Sequence, residues 1–299
     1  MPDAQLPCRS DRIALVVTTL GRIDPLTRLF DSLDGQLEAG DRVVVVAQGH
    51  ANALRALAAG YSASFSVEVI TSPRGLSIGR NAGVASLPSG EDPMVMFPND
   101  TSWFAEGMIS RIRLLAPGIG IGGLTVVDEE GPKFILPPPG TPLDRWNVWN
   151  AIEPGFLIRR SIVDRLGGFD PELGTGAATP WQAGEGTDLL LRALHRGQAE
   201  GFVWGPADTH VGGVGQSAGL GAAERRRKIR AYGRGTARIL ARWHYPWWWC
   251  AAFAAAGLLV GVRHRSAHRP LDGWWSFLGR VEGLLGRTVG SSSMTAVSR

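Results

Sequence analysis

Four apolar runs of this chain each end in side chains that could do chemistry. Thr18, Thr19 and Arg22 follow the first run, and Gln48 with Asn52 follows the second. The segment from Arg74 to Asn81 follows the third, and Asn99 with Asp100 follows the fourth. Polar groups at four such ends exceed what chance surface decoration supplies. Arg74 and Arg80 are cations of the kind that pair with phosphate oxygens. The backbone amides around Gly75 to Ser77 come just before a helical pattern, where the dipole and free N–H groups favour anions. The ordinary alternative for these residues is a pair of helix-surface arginines and an N-cap serine. Asp100, at the end of a strand, suits a hard divalent cation that takes carboxylate, phosphate and water oxygens.

Elements that place these groups alternate along the chain. Residues 12–19, 42–47, 66–71 and 93–97 are short β-branched apolar runs of strand length. Helical patterns separate them. One opens at Asp24-Pro25, with Asp24 suited to an N-cap and Pro25 to the first helical position. Others cover 51–59, 78–86 and 108–115. Residues 119–127 read as a Gly-rich strand, 128–131 as a turn, 133–136 as its return strand and 137–142 as a loop. Strands alternating with helices predict an α/β fold with a mostly parallel sheet covered on both faces. Ligands in such sheets gather at the carboxyl ends of the strands, where the polar groups fall.

Composition narrows the class. The chain has 299 residues, 44% hydrophobic and 19% charged, enough for a large core and unlike a disordered chain. Two distant cysteines, Cys8 and Cys250, form neither a disulfide framework nor a zinc cluster, which points to a reducing compartment. The first residues lack the basic-then-apolar run of a secretory leader, which points to the cytosol. The net charge of +4 hides an asymmetry: residues 1–221 carry −7, and residues 222–299 carry +11 with six of the 11 tryptophans. An acidic body with a basic, Trp-rich tail predicts a domain that meets an anionic surface through its C-terminus.

Several classes are disfavoured. Thr19-Leu20-Gly21-Arg22 lacks the glycine fingerprint of a dinucleotide fold, and neither a P-loop nor a nucleophile elbow occurs. The glycines of 118–123 lie inside a strand pattern, so close sheet packing explains them better than a phosphate loop.

Two segments, 72–83 (SPRGLSIGRNAG) and 97–104 (FPNDTSWF), resemble the family 2 glycosyltransferases, an inverting group with a GT-A fold. The first is similar to their Gly-Leu-Ser…Ala-Arg-Asn-x-Gly segment, and the second to the strand-end DxD metal motif, reduced here to Asn99-Asp100. Residues 155–170, ending Gly-Gly-Phe-Asp, resemble the acceptor-side segment, and residues 179–194 the helix carrying the catalytic base. The likeness runs in order over residues 12 to 215.

The resemblance implies a sugar-nucleotide donor whose diphosphate leaves with developing negative charge. Thr18, Thr19, Arg22 and Gln48 match nucleoside-binding positions. Arg74, Gly75, Ser77, Arg80, Asn81, Asn99 and Asp100 complete the donor site. A divalent metal, Mn²⁺ or Mg²⁺, is implied at Asp100 and His210. Asp170 matches an acceptor-side aspartate, and Trp181 would stack on an acceptor sugar. The family's Glu-Asp pair becomes Gly184-Glu185-Gly186-Thr187-Asp188 here, so its base aligns with Gly186. Glu185 is the first candidate for that base and Asp188, one helical turn on, the second.

In the tail, residues 224–241 read as a basic helix interrupted at Gly233 and Gly235, and residues 271–285 as a second apolar helix. Residues 243–262 carry no formal charge, but the strictly apolar part, 247–262, is short for a crossing. An in-plane or re-entrant anchor is therefore the expectation, with a helical pair packed on the enzyme as the alternative.

Together these readings predict a GT-A-like domain over 10–221, a basic helical tail over 222–290 and a disordered end over 291–299. The expected activity is inverting, metal-assisted hexosyl or deoxyhexosyl transfer to a lipid-linked or cell-surface glycan. The expected place is the inner face of the cell membrane, attached peripherally or monotopically, with no nucleic-acid partner. The alternatives are a degenerate membrane scaffold with a transferase fold and a sugar nucleotidyltransferase.

Overall fold

The computed structural model describes residues 9–213, 220–260 and 271–289. The chain forms two compact units, one of residues 1–170 with 186–215, the other of residues 171–185 with 216–299.

The first unit is built on seven strands. β1 (Arg9–Thr19), β2 (Arg42–Ala47), β3 (Val67–Thr71) and β4 (Asp92–Met96) alternate with α1 (Ile23–Leu33), α2 (Ala51–Tyr61) and α3 (Leu76–Ala85). After α4 (Met108–Leu115) come β5 (Ile121–Gly123), β8 (Phe156–Arg159) and β9 (Val203–Trp204). The sheet order is β3-β2-β1-β4-β8-β5-β9. Only β8 runs against the others, pairing antiparallel with β4 and β5. A second sheet joins β10 (His210–Gly212), β6 (Thr125–Asp128) and β7 (Gly131–Pro132). Two helices complete this unit's frame: α5 (Arg160–Leu166) and α6 (Glu185–His195), the latter starting on the last residue of the other unit.

Alternation decides which side chains go to which face. Ile13, Leu15 and Val17 of β1 and Val43 and Val45 of β2 are buried with Leu26, Leu29, Phe30 and Leu33 of α1 and Leu54 of α2. The opposite face takes α3, where a Cβ on Gly83 would lie 3.0 Å from Val46 Cγ2, so only glycine lets the helix approach so closely.

Local departures from the expected elements have physical causes. α1 begins at Ile23 with Arg22 as N-cap and no side-chain cap, so Asp24 and Pro25 lie inside the first turn. A proline is tolerated there because the first N–H groups have no intrahelical partner. α3 starts at Leu76 with Gly75 as N-cap, which puts Ser77 within the helix and not at its cap. The strand expected over 119–127 breaks at Leu124, whose N–H donates to Gly155 O at 2.8 Å, and its two halves join different sheets. The return strand is Gly131–Pro132, starting inside the expected turn and ending ahead of the expected 133–136, and the prolines from Pro137 on supply no N–H to extend a ladder. Gly122 and Gly123 do lie in a strand, and a Cβ on Gly122 would come 2.8 Å from Val203 O.

The second unit contains α7 (Ala222–Arg242), α8 (Trp247–Ala256) and α9 (Asp272–Leu285). α7 is continuous through Gly233 and Gly235, against expectation. A Cβ on Gly233 would lie 3.1 Å from Ser276 O of α9, so the glycine allows close helix packing that outweighs its poor propensity. Between α7 and α9, Asp272 pairs with Arg225 at 2.7 Å, and Glu282 pairs with Arg234 at 2.6 Å and with Arg230. Both carboxylates are fully buried. α8 is short, and among the described residues no helix is long and apolar enough to cross a membrane. Cys8 and the expected disordered end at 291–299 lie outside the described residues.

Candidate functional site

The strand ends of the first unit converge on Asp100. The parallel order β2-β1-β4 brings the loops after these strands to one edge of the sheet. The turn after β4 is closed by Ser102 N–H donating to Asn99 O at 2.9 Å, and by Asn99 N–H donating to Ser102 Oγ at 3.0 Å. Asp100, 3% exposed, accepts from Thr19 Oγ1 at 2.7 Å and from Arg22 Nε at 3.0 Å. A second guanidinium nitrogen of Arg22 reaches its other oxygen. The first and fourth strand ends are thus joined by one charged cluster, with the Arg22 side chain still 57% exposed.

The turn is also stitched to β10. Trp103 and Gly212 exchange both backbone hydrogen bonds, at 3.0 and 2.9 Å. His210, two residues earlier on β10, has its ring edge-on to Trp103 with centroids 6.5 Å apart. The structure therefore brings the strand of His210 alongside the Asp100 turn. The metal expectation meets a different chemistry at Asp100. A hard cation needs several oxygens, yet this carboxylate is already occupied by a guanidinium and a hydroxyl. Among the described residues no three His, Cys, Asp or Glu side chains gather as a metal cluster. These residues do not fit a cation held by protein ligands alone.

Gln48 holds the loop that follows β3. Its Oε1 accepts from Gly75 N–H at 3.2 Å, and its Nε2 lies 2.6 Å from Pro73 O, 2.8 Å from Gly75 O and 3.0 Å from Ser72 Oγ. The amide staples the loop between β3 and α3, leaving Gly75 N–H engaged. Thr18 packs against α3, where a Cβ on Gly79 would lie 2.8 Å from its Oγ1, a buried atom with no hydrogen-bond partner among the described residues. Arg74, in the same loop, is exposed and makes no hydrogen bond or ion pair among the described residues. Beside the end of β2 a depression of about 350 Å³ is lined by His50, Ala51, Asn52 and Ala53.

Arg80 and Asn81 reach Phe169, in the segment after α5. Asn81 Nδ2 donates to Phe169 O at 2.8 Å, and its Oδ1 accepts from Phe169 N–H at 2.7 Å. Arg80, 3% exposed, lies 5.1 Å over the Phe169 ring, which also meets Phe97 edge-on at 4.9 Å. Asp170, the next residue, is half-buried and is placed by this clamp.

At α6, Asp188 has no exposed surface. It accepts from Arg192 Nε at 2.8 Å, while the rest of that guanidinium donates to Leu166 O at 2.6 Å and Gly168 O at 2.7 Å. Asp188 orients an arginine that caps α5. Glu185 is 5% exposed, and Ser77 1%. Glu153, which the sequence reading passed over, accepts from Gly186 N–H at 2.9 Å. Within the second unit, Trp181 has Arg238 5.4 Å over its ring, so one face is already covered.

A mostly parallel sheet with one reversed strand, polar strand ends and a small second sheet is a GT-A-like arrangement. The chain is similar to solved structures of Staphylococcus aureus TarS. Against residues 1–349 of TarS the TM-score is 0.55 at 11% identity, covering 92% of each chain. The same region in complex with UDP-GlcNAc gives 0.55 at 13%, and in complex with UDP 0.54 at 14%. No protein-family profile and no curated sequence matches.

Proposed function

We propose that this chain is an inverting glycosyltransferase that takes a sugar from a nucleotide donor and delivers it to a hydroxyl of a lipid-linked or cell-surface glycan. The observation that carries the reading is the Thr19–Arg22–Asp100 cluster on the carboxyl edge of a GT-A-like sheet. Support for the donor class comes from the TarS structures, which contain UDP-GlcNAc and UDP. A UDP-sugar is accordingly the first donor to test.

In this reading the nucleoside lies by the loops after β1 and β2. The diphosphate lies against Arg74, whose cation is unpaired among the described residues, and against the outer face of Arg22. Fixed cations there stabilise the charge that develops on the leaving diphosphate. One carboxylate takes the acceptor proton as the acceptor oxygen attacks the anomeric carbon from the opposite face. No step is assigned to a metal, because Asp100 is already neutralised by Arg22.

The second unit supports attachment to the cytoplasmic face of the membrane. Trp247 and Trp248 of α8 are 82% and 53% exposed, as are Leu259 at 52%, Leu271 at 66% and Trp274 at 54%. Exposed Trp and Leu on helices flanked by arginines suit the headgroup region of an anionic bilayer. The buried ion pairs between α7 and α9 fit a water-soluble helix pair bearing an interfacial edge, not a span.

Activity is tested by incubating the protein with UDP-, GDP-, dTDP- and CDP-sugars, with and without a membrane-lipid extract. The expected result is nucleoside diphosphate release from one donor, accelerated by the extract. Pyrophosphate release from a nucleoside triphosphate and a sugar phosphate would mark a nucleotidyltransferase. No release by folded protein would leave a scaffold.

A further inference from the structure

We propose that Glu153 is the general base of this transfer, an assignment that rests on the glycosyltransferase reading above. Glu153 opens the short turn Glu153–Gly155 immediately before β8. Because β8 runs antiparallel to β4, with Met94 opposite Arg159 and Val95 opposite Ile158, this turn lies at the end of β4 from which Asn99 and Asp100 emerge. It also packs against β6 and against β10, the strand of His210. The reacting edge of the sheet therefore carries a second carboxylate besides Asp100.

That carboxylate occupies the place of a missing side chain. Gly186, in the first turn of α6, has no Cβ, and one built there would lie 2.6 Å from both Cγ and Cδ of Glu153, with Oε1 nearer still. Oε1 accepts the Gly186 N–H at 2.9 Å. A carboxylate in the first turn of α6 is thus supplied from another segment, into space that a side chain at 186 would contest. The other carboxylates are less available for proton transfer. Asp100 is bound by Arg22 and Thr19, and Asp188 is wholly buried against Arg192. Glu185 is 5% exposed. Glu153 is only partly buried and makes no other hydrogen bond or ion pair among the described residues.

The turn is rigid enough to aim it. Pro154 and Gly155 are buried, Gly155 N–H donates to Ile152 O at 2.9 Å, and Gly155 O accepts from Leu124 N–H at 2.8 Å. Holding Oε1 on a backbone N–H leaves Oε2 to face an acceptor hydroxyl. As the acceptor oxygen bonds to the anomeric carbon, its proton passes to Glu153. The bond from that carbon to the phosphate oxygen breaks, its electron pair leaves with the nucleoside diphosphate, and Glu153 then returns the proton to water.

Glu153→Gln separates base from cap, because its carboxamide oxygen still accepts from Gly186 N–H but cannot take a proton. The assay is nucleoside diphosphate release from the donor that wild type uses, with the lipid extract as acceptor, beside UDP calorimetry and a thermal midpoint. The expected result is a fall of about 10²–10⁴-fold in turnover, with unchanged nucleotide affinity and midpoint. The acid limb of the wild-type pH–rate profile should vanish from the residual activity. Turnover within threefold of wild type would overturn the assignment while leaving the transferase reading intact. So would a loss of turnover matched by a loss of folded protein. Glu153→Asp provides the second variant. It keeps the base but shortens it, so turnover above that of Glu153→Gln is expected, and equal turnover would contradict the proposal. A wild type that releases no nucleoside diphosphate from any donor contradicts the transferase reading, and this assignment with it.

Discussion

The carboxamide of Asn81 grips the backbone of Phe169 with both ends, donating to its carbonyl at 2.8 Å and accepting from its N–H at 2.7 Å. Two motifs separated by 88 positions are thereby one structural device. The Arg-Asn pair of α3 binds protein rather than solvent, through Phe169. It fixes the Gly167–Asp170 segment on which acceptor binding would depend. Asn81→Ala should cost about 1–3 kcal/mol, because a buried N–H and carbonyl lose their partners. Urea denaturation measures this, and a loss below about 0.5 kcal/mol would show that water replaces the clamp.

Asp188 and Arg192 make a second such device. Asp188→Ala leaves a largely buried guanidinium without its carboxylate, for which about 3–5 kcal/mol of destabilisation is expected. Unchanged stability with lost turnover would instead make Asp188 catalytic. Denaturation and turnover measured on the same preparation decide between them.

Much of the fold was legible because buried parallel strands announce themselves as apolar runs, as at Arg42–Ala47. The site was legible only in outline. Strand ends marked by Thr19, Arg22 and Asp100 do converge, but the partner of each side chain is a tertiary fact. Gln48 matches a nucleoside contact by position, yet its amide staples Ser72 to Gly75. Gly186 reads as a missing base, and nothing in the sequence spacing says that the Glu153 carboxylate, 33 residues earlier in the chain, meets the Gly186 N–H. Its one sequence signal is a carboxylate at a Pro-Gly turn just before a strand. In the tail, Gly233 and Gly235 looked like breaks because propensity is local, whereas the close packing they allow on neighbouring segments is not.

The Gln48 staple predicts a binding defect without a folding defect. Gln48→Ala frees the Ser72–Gly75 loop at the surface, so the thermal midpoint should move little. UDP affinity should fall by about tenfold, consistent with about 1.4 kcal/mol of lost preorganisation. Equal affinity in calorimetry would remove that loop from the diphosphate site.

Glu282 gives the C-terminal unit an acid sensitivity. Burial pushes its carboxyl up, but hydrogen bonds from Arg230, the Val289 N–H and Arg234 outweigh that and hold it below its ordinary 4.5. A folded value below the unfolded one means the contribution is complete above the unfolded range and is lost as pH falls through the folded value. The stability gap between wild type and Glu282→Gln should therefore be widest near neutrality and narrow below about pH 4. A gap that grows on acidification would contradict this sign.

Interfacial attachment predicts that replacing Trp247, Trp248 and Trp274 together by serine lowers binding to phosphatidylglycerol vesicles by at least about tenfold. The helix pair should stay folded, since these side chains are exposed. Co-sedimentation reads the binding. Wild type that ignores anionic vesicles would leave those tryptophans to another partner.

The most direct test of the central claim is calorimetric titration with UDP, GDP, dTDP and CDP, with and without Mn²⁺, on wild type, Asp100→Ala and Arg74→Ala. The account predicts that one nucleoside diphosphate binds wild type and loses about tenfold or more when Arg74 is removed, or when Asp100, which holds the Arg22 guanidinium in place, is removed. No binding of any of the four by folded wild type would contradict it.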